Sequence, residues 1–467
     1  MTVPRWASAG APVQASTLGQ SGAHPWSVRP FAVRVWLVYP VLIVLFALMG
    51  PYSLHPAAAD AGGDQSVAVA SAATASGVSS GSPLRRVAIL GLALVAALSL
   101  SRARKNKQYT HHAMRVEHVS APPVAKRGML PLLLLLYVGL AGASMLWAAD
   151  PGITSRRVVV FLLMVFAAWA FAQAWTIRDV LYFSLWANAT SLVLGLGGSI
   201  ARGQFHPAAA GWRFTGFANP NLHGIEAACL IIACWAAIRL GGRRGPLMAL
   251  MLFGAVMLLL TKSRTAVASL LLAAGFCGAL SIKRSKLVAI GVLVAAIAFA
   301  AVVFAPDIVT GAQHAMLLGR SGDNEDPSTL SGRTLLWADL FDFASDHPWF
   351  GYGFDSFWTP DHIAIISVKR GWVITQAHSG YLETLLATGI VGLTLLTTTL
   401  LSGLAAAVRR YRATHTTVAL FAVAMLMWYV VNTLPEALPE SHVSTFIIML
   451  LLAHFGLRSA APDDVGG

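Results

Sequence analysis

Four short stretches hold the polar groups that could do chemistry in an otherwise apolar chain. The first is GWRFTGFANPNLHG, residues 211–224. Its Asn-Pro-Asn core is turn chemistry, because Pro fixes φ and Asn side chains cap helices. Asn219 opens the turn, and Asn221 is placed to cap a helix starting near Leu222. The free N–H groups of a helix N-terminus attract anions, and Arg213, eight residues upstream of Asn221, could fold over the same spot. A re-entrant turn with a headgroup-binding Arg is the plainer reading. The second stretch is TKSRTAVAS, residues 261–269, squeezed between two apolar runs. Arg264 is thereby pinned near membrane depth, where an unpaired charge is costly. Its partner is either a lipid-linked phosphate or pyrophosphate, gripped bidentately, or Glu226 in the run after the Asn-Pro-Asn turn.

The third stretch is SGRTLLWADLFDFASDHPWFGYGFDSFW, residues 331–358. Ser331 or Ser328 could cap a helix from about Arg333 to Ser345, with Leu336, Leu340 and Phe343 on its apolar face. Asp346-His347-Pro348 should end it, since Pro disfavours helix in the residue before it. Gly351 and Gly353 then permit a tight turn. The aromatic residues at 349, 350, 352, 354, 357 and 358 make a domain core or, alternatively, a sugar-stacking surface that rests on the membrane. The fourth stretch is QAHSGYLETLLATGIVG, residues 376–392. His378 stands just before Ser379, an N-cap candidate. An imidazole with a pKa near ~6.5 suits general-base work; a hydrogen-bonded boundary His fits the spacing equally well. Glu383, five residues on, is not strictly on the same helical face. Gly389 and Gly392 allow close helix approach.

The elements that must position these groups are membrane helices. Of 467 residues, 56% are hydrophobic and only 11% charged, and mean hydropathy is +0.66. A soluble globular enzyme and a disordered chain are both excluded. A span needs about 20 mostly apolar residues. Twelve apolar segments can be read, at about 32–50, 84–101, 128–148, 156–174, 177–198, 221–238, 246–261, 265–281, 286–305, 381–405, 417–433 and 442–457. Four units follow: residues 1–127, a tail with two spans and linkers and no functional reading; 128–305, the first half of a transmembrane core; 306–379, a polar loop domain; and 380–467, the C-terminal part of the core. Cys229, Cys234 and Cys277 all lie in apolar runs, with neither a disulfide framework nor zinc spacing.

The formal charge of +13 resembles a nucleic-acid signal. With a cytoplasmic N-terminus, however, the loops SRARKNKQYTHHAMRVEHVSAPPVAKR, RLGGRRG, SIKRSK and RRYR face the cytoplasm and carry sixteen of the thirty-three Lys and Arg residues. The positive-inside tendency accounts for much of the charge, and no nucleic-acid partner is expected. Residues 306–379, with nine acidic against four basic residues, then lie outside, in the periplasm of a Gram-negative cell. Arg pairs at segment starts, such as Arg156-Arg157, read as snorkelling to headgroups.

In this order and topology the four stretches resemble the O-antigen ligase and polymerase family of bacterial surface-glycan enzymes, over roughly residues 128–455. The sharpest element is His378-Ser379 followed by Gly389 and Gly392, behind a DHPWFGYGFDSF block; LWAADPGITSRR, residues 146–157, resembles the family's early outer loop. The resemblance implies an all-α polytopic membrane protein of about 12 transmembrane helices, with one large, partly helical periplasmic loop and a glycosyltransferase fold of the C type. It implies a multi-pass protein of the bacterial inner membrane whose active site faces the periplasm. The donor would be an undecaprenyl-pyrophosphate-linked glycan. The acceptor would be lipid A–core or another lipid-linked glycan. Neither cofactor nor metal is expected, and no Asp-x-Asp pair or phosphate-cradling glycine loop is visible. The expected roles are His378 as base and Arg213, Arg264 and Arg333 on the pyrophosphate, supported by Asn219, Asn221, Glu226, Ser379, Glu383, Asp346 and His347. A protein O-oligosaccharyltransferase of the same group is an alternative. So is a transporter or flippase of lipid-linked glycan, although transporters place ionisable residues on broken helices at the midplane, whereas here they gather at the outer boundary.

Overall fold

A computed structural model describes residues 30–49, 83–116, 128–209, 211–217, 219–282, 333–438 and 442–457. In chain order the helices are α1 (Pro30–Met49), α2 (Pro83–Val116), α3 (Leu130–Ala143), α4 (Pro151–Ala174), α5 (Ile177–Ala201), α6 (Pro220–Arg239), α7 (Arg244–Thr261), α8 (Arg264–Ser281), α9 (Arg333–Asp346), α10 (Pro360–Arg370), α11 (Gly380–Thr414), α12 (Thr417–Asn432) and α13 (Val443–Leu457). No strand occurs among the described residues. Helices occupy the expected apolar segments, except that 286–305 lies outside the described residues. Among the described residues, seven helices, α2, α4 to α8 and α11, are long and apolar enough to cross a membrane, and α1, α3, α12 and α13 contain shorter apolar stretches. The protein is an all-α polytopic membrane protein.

Its helices begin where local chemistry satisfies their first N–H groups, which hydrocarbon cannot do. Asp150 Oδ1 accepts from Ile153 N at 2.8 Å, ahead of Pro151. Thr176 and Asp179 form a reciprocal capping box on α5. Small residues then let α6 sink into the bundle: Ala227, Ala228, Ala233, Ala236 and Ala237 are fully buried. This helix packs against α5, α7, α8 and α12. A chain of rings, Tyr39, Trp175, Phe183, Phe446 and Phe171, ties α1, α4, α5 and α13 together, with centroids 4.8–6.3 Å apart.

The loop domain has its own core. Leu336, Leu340, Phe357, Trp358, Ile363 and Ile374 bury themselves against Leu382 and Leu386 of α11. The spacing argument for α9 therefore holds, with Phe343 packed at the edge of the same cluster. Lys369 Nζ lies 2.8 Å from Asp339 Oδ1, and Arg370 Nε donates to Asp339 Oδ2 at 2.6 Å, joining α10 to α9. Burial raises the Asp339 pKa, but Lys369 and Arg370 outweigh it and hold the carboxyl below its usual range. The aromatic block divides its work: Phe354, Phe357 and Trp358 are buried, whereas Trp349 and Phe350 are exposed.

Of the two glycines expected to allow close helix approach, Gly392 does lie against Leu140 of α3, whereas Gly389 acts differently. Gly389 breaks α11 with φ 65° and ψ −166°. The break releases backbone groups that a continuous helix would pair, and residues 348–353 take them. Tyr352 N donates to Leu386 O at 2.8 Å and Gly353 N to Ala387 O at 3.0 Å; Ile390 N donates to Pro348 O at 2.8 Å. A Cβ at Gly389 would stand 2.2 Å from the Trp349 carbonyl, so only glycine permits the approach.

The other side of the same segment clasps the corner between α3 and α4. Ala149 N donates to Tyr352 O at 2.8 Å, Phe354 N to Ser144 Oγ at 2.8 Å, and Asp150 N to Ser356 Oγ at 2.8 Å. Arg157 pairs with Asp355 at 2.5 Å. That corrects the snorkelling expectation for Arg157: beside the folded 333–379 segment its charge finds the Asp355 carboxylate. The LWAADPGITSRR and DHPWFGYGFDSF blocks, far apart in sequence, are thus two halves of one junction.

Candidate active site

The ends of five elements meet on one side of the bundle. The segment before α6 supplies Arg213, the first turn of α6 supplies Asn221, and the α7–α8 turn supplies Thr261 and Thr265. The start of α9 supplies Arg333, and the turn between α12 and α13 supplies Glu436.

Arg213 is held from two sides. Its Nε donates to Thr261 O at 2.9 Å and its Nη2 to Asn221 Oδ1 at 2.8 Å. Phe214 N donates to Leu260 O at 2.9 Å, laying this segment across the end of α7. The capping role expected of Asn221 falls to Asn219 instead. α6 starts at Pro220, so Asn219 is the cap, its Oδ1 accepting from Leu222 N at 2.9 Å. Asn221, already inside the helix, spends its side chain bridging Arg213 to Glu436, with Nδ2 donating to Glu436 Oε1 at 2.8 Å.

Glu436 is the residue that sequence reasoning missed. It is 5% exposed. Its Oε1 also accepts from Arg333 Nη2 at 2.8 Å and from Thr265 Oγ1 at 3.3 Å. Arg333 Nη1 donates in addition to Pro435 O. Burial raises the Glu436 pKa, and the charge and hydrogen bond of Arg333 lead the effects that oppose it. The only local signal was an acidic residue in a short Pro-rich turn, Thr433-Leu434-Pro435-Glu436, between the last two apolar runs.

His378 lies against the same turn. Ser379 caps α11 through Leu382 N at 3.4 Å. Gly380 N donates to Thr433 O at 2.9 Å and to Glu436 O at 3.2 Å. His378 itself adopts φ +52°, a backbone region that non-glycine residues rarely enter. Its Nδ1 lies 3.4 Å from Gln376 Nε2, and its ring centroid 5.8 Å from that of Trp372. Burial, and then the Arg333 charge, push its pKa down from 6.5 to about 4.

The remaining candidates divide. Arg264 opens α8 in the turn that carries Thr261 and Thr265, one residue before Thr265. The anticipated Arg264–Glu226 pair is not formed. Glu226 instead takes Ser191 Oγ at 2.8 Å and His223 Nδ1 at 2.8 Å, with His442 Nε2 at 3.6 Å, because burial on α6 turns it toward α5 and α13. Glu383 folds back over the start of α11: Ala377 N donates to Oε1 at 2.5 Å and Trp358 Nε1 to Oε2 at 2.9 Å. It orders the backbone that carries His378. Asp346 and His347 are exposed at the far end of α9, about 20 Å along the helix from Arg333. His347 packs on Tyr352 with ring centroids 4.4 Å apart, so these two belong to the clasp.

Two guanidiniums, a buried carboxylate and an imidazole thus come together at one end of the helix bundle. Residues 247–397 match the family described as O-Antigen ligase. The chain is 27% identical over 322 residues to the exopolysaccharide production protein ExoQ of Rhizobium meliloti, which covers 65% of this chain and 72% of that protein. It is 26% identical over 262 residues to an O-antigen ligase of Pseudomonas aeruginosa, covering 54% of this chain and 58% of the relative. These matches make the chain similar to proteins of the O-antigen ligase/polymerase family, the family model matching residues 247–397. The family match spans Arg264, Arg333 and His378; Arg213, Asn221 and Glu436 lie outside it.

Proposed function

We propose that this protein is a glycosyltransferase of the bacterial inner membrane, working at the periplasmic face. It moves a glycan from undecaprenyl pyrophosphate to a sugar hydroxyl. The observation that carries this reading is the convergence of Arg213 and Arg333 on one carboxylate beside His378. Guanidiniums grip pyrophosphate oxygens bidentately and stabilise the charge that grows on the leaving group. Arg264, in the same turn as Thr265, completes the cationic rim.

The acceptor hydroxyl attacks the anomeric carbon as the bond to the pyrophosphate oxygen breaks. The bonding pair leaves on that oxygen, and His378 takes the hydroxyl proton. One direct displacement inverts the anomeric centre. Burial and the Arg333 charge keep the imidazole neutral, so its lone pair is available. Pyrophosphate arriving at Arg333 offsets the positive charge that weakens this base, so donor binding itself raises its basicity.

The longer match to an exopolysaccharide production protein favours a lipid-linked glycan as acceptor, that is, chain growth. The match to an O-antigen ligase favours lipid A–core. Reconstitution in EDTA with undecaprenyl-pyrophosphate glycan, with and without lipid A–core, separates the two. Longer lipid-linked chains without lipid A–core identify a polymerase, and transfer to lipid A–core identifies a ligase. A donor untouched under both conditions refutes the enzyme reading and brings transport of lipid-linked glycan forward.

A further inference from the structure

An anion-binding site has reason to avoid carboxylates, yet one buried carboxylate stands at its centre. Burying a charge is costly unless partners satisfy it, and Glu436 is satisfied by the site's own cationic machinery. Arg333 donates to it directly. Arg213 reaches it through Asn221, which accepts from the guanidinium with Oδ1 and donates to the carboxylate with Nδ2. The amide can face only this way, because a guanidinium is solely a donor and an ionised carboxylate solely an acceptor. Thr265 adds a third donor from the α7–α8 turn. All three of these side-chain hydrogen bonds, from Asn221, Thr265 and Arg333, fall on Oε1.

We propose that Glu436 is the internal counter-anion of the pyrophosphate site, a positioning residue that aims both arginines and limits how tightly they hold pyrophosphate. This rests on the reading of Arg213 and Arg333 as pyrophosphate ligands. Both donor and product carry pyrophosphate, so arginines without a counter-charge would grip the two alike. Such uniform binding lowers KM without raising kcat, and it slows release. With Glu436 beside them, the guanidiniums exchange one anion for another. Pyrophosphate competes with the carboxylate on arrival, and the carboxylate takes Arg333 back as undecaprenyl pyrophosphate leaves. A mere staple between α9 and the α12–α13 turn would not need the negative charge, since Arg333 also bonds the Pro435 carbonyl.

The test uses the full-length protein in lipid nanodiscs, with inorganic pyrophosphate and undecaprenyl pyrophosphate as probes. Glu436→Gln should bind both about tenfold more tightly, and in transfer assays donor KM and kcat should fall together. Glu436→Asp, which keeps the charge, should stay close to wild type. Asn221→Asp, which adds a second anion between the arginines, should bind both probes about tenfold more weakly. Binding left unchanged or weakened in Glu436→Gln, at an unchanged melting temperature, overturns the inference while the arginine reading stands. If Glu436→Gln does not fold, the Asn221→Asp result decides: unchanged or tighter binding overturns the inference. Absence of pyrophosphate binding in wild type, with none gained in Glu436→Gln, overturns both.

Discussion

At the scale of single residues, the site is a set of polar outliers whose behaviour is set by what they touch. His378 has its pKa pushed from 6.5 to about 4 by burial and Arg333. A lowered imidazole pKa means the neutral base persists as pH falls, and is lost only through about pH 4. The acid limb of kcat/KM should therefore lie near 4 and not near 6.5, which a pH–rate profile on reconstituted enzyme checks. His378→Ala should slow transfer by on the order of 10²- to 10⁴-fold, with donor binding retained; full activity in that variant would dismiss the base assignment. Arg264→Lys keeps the charge but not the planar fork. A loss of about 10²-fold in transfer is expected of it, and a silent substitution would remove Arg264 from the pyrophosphate contact. Arg213 and His378 were visible in the sequence as charged or titratable residues stranded at apolar boundaries, and Arg333 as the start of a helix in the polar 306–379 segment. Glu436 was not, because its partners Arg333 and Asn221 lie 103 and 215 residues away.

At the scale of elements, the apolar runs name the helices, and the caps Asp150, Thr176, Asn219, Ser379 and Thr416 set where several of them begin. The break in α11 was not legible. A glycine in an apolar run reads equally as a close-packing contact, and only the docked 348–353 segment shows that Gly389 is there to expose backbone. Gly389→Ala must both leave φ +65° and clear the Trp349 carbonyl. It should cost on the order of 1–3 kcal/mol, seen as a lowered melting temperature and faster proteolysis around residues 348–353. A melting temperature and cleavage pattern like wild type would show that the break is not needed. Asn219→Ala should cost about 1 kcal/mol through the lost cap of α6, measurable as a smaller shift in the same assay.

At the scale of the whole molecule, the site's elements all reach it at the same end of the bundle, because successive spans alternate in direction. The described basic turns at 239–245 and 409–412 lie at the opposite end, and we propose from the positive-inside tendency that this end faces the cytoplasm. Single cysteines at His206 or Trp372 should react with a membrane-impermeant maleimide in spheroplasts, and one at Gly245, exposed and with open space at its Cβ, only after permeabilisation. The reverse pattern would invert the topology. The native Cys229, Cys234 and Cys277 are buried, so background labelling should be small.

Composition alone determined that this chain lives in a membrane and is built of helices, since hydrocarbon offers the backbone no partner and each span must satisfy itself locally. The same local logic marked the boundary residues able to meet an anion. Only the tertiary structure decided which of them meet. It placed Asp346 and His347 in a clasp, turned Glu226 toward Ser191 and His223, and gathered Arg213, Asn221, Thr265 and Arg333 around Glu436. Those meetings join the ends of helices far apart in sequence. Their energy lies in side-chain geometry across the bundle, which no periodicity or spacing along the chain encodes.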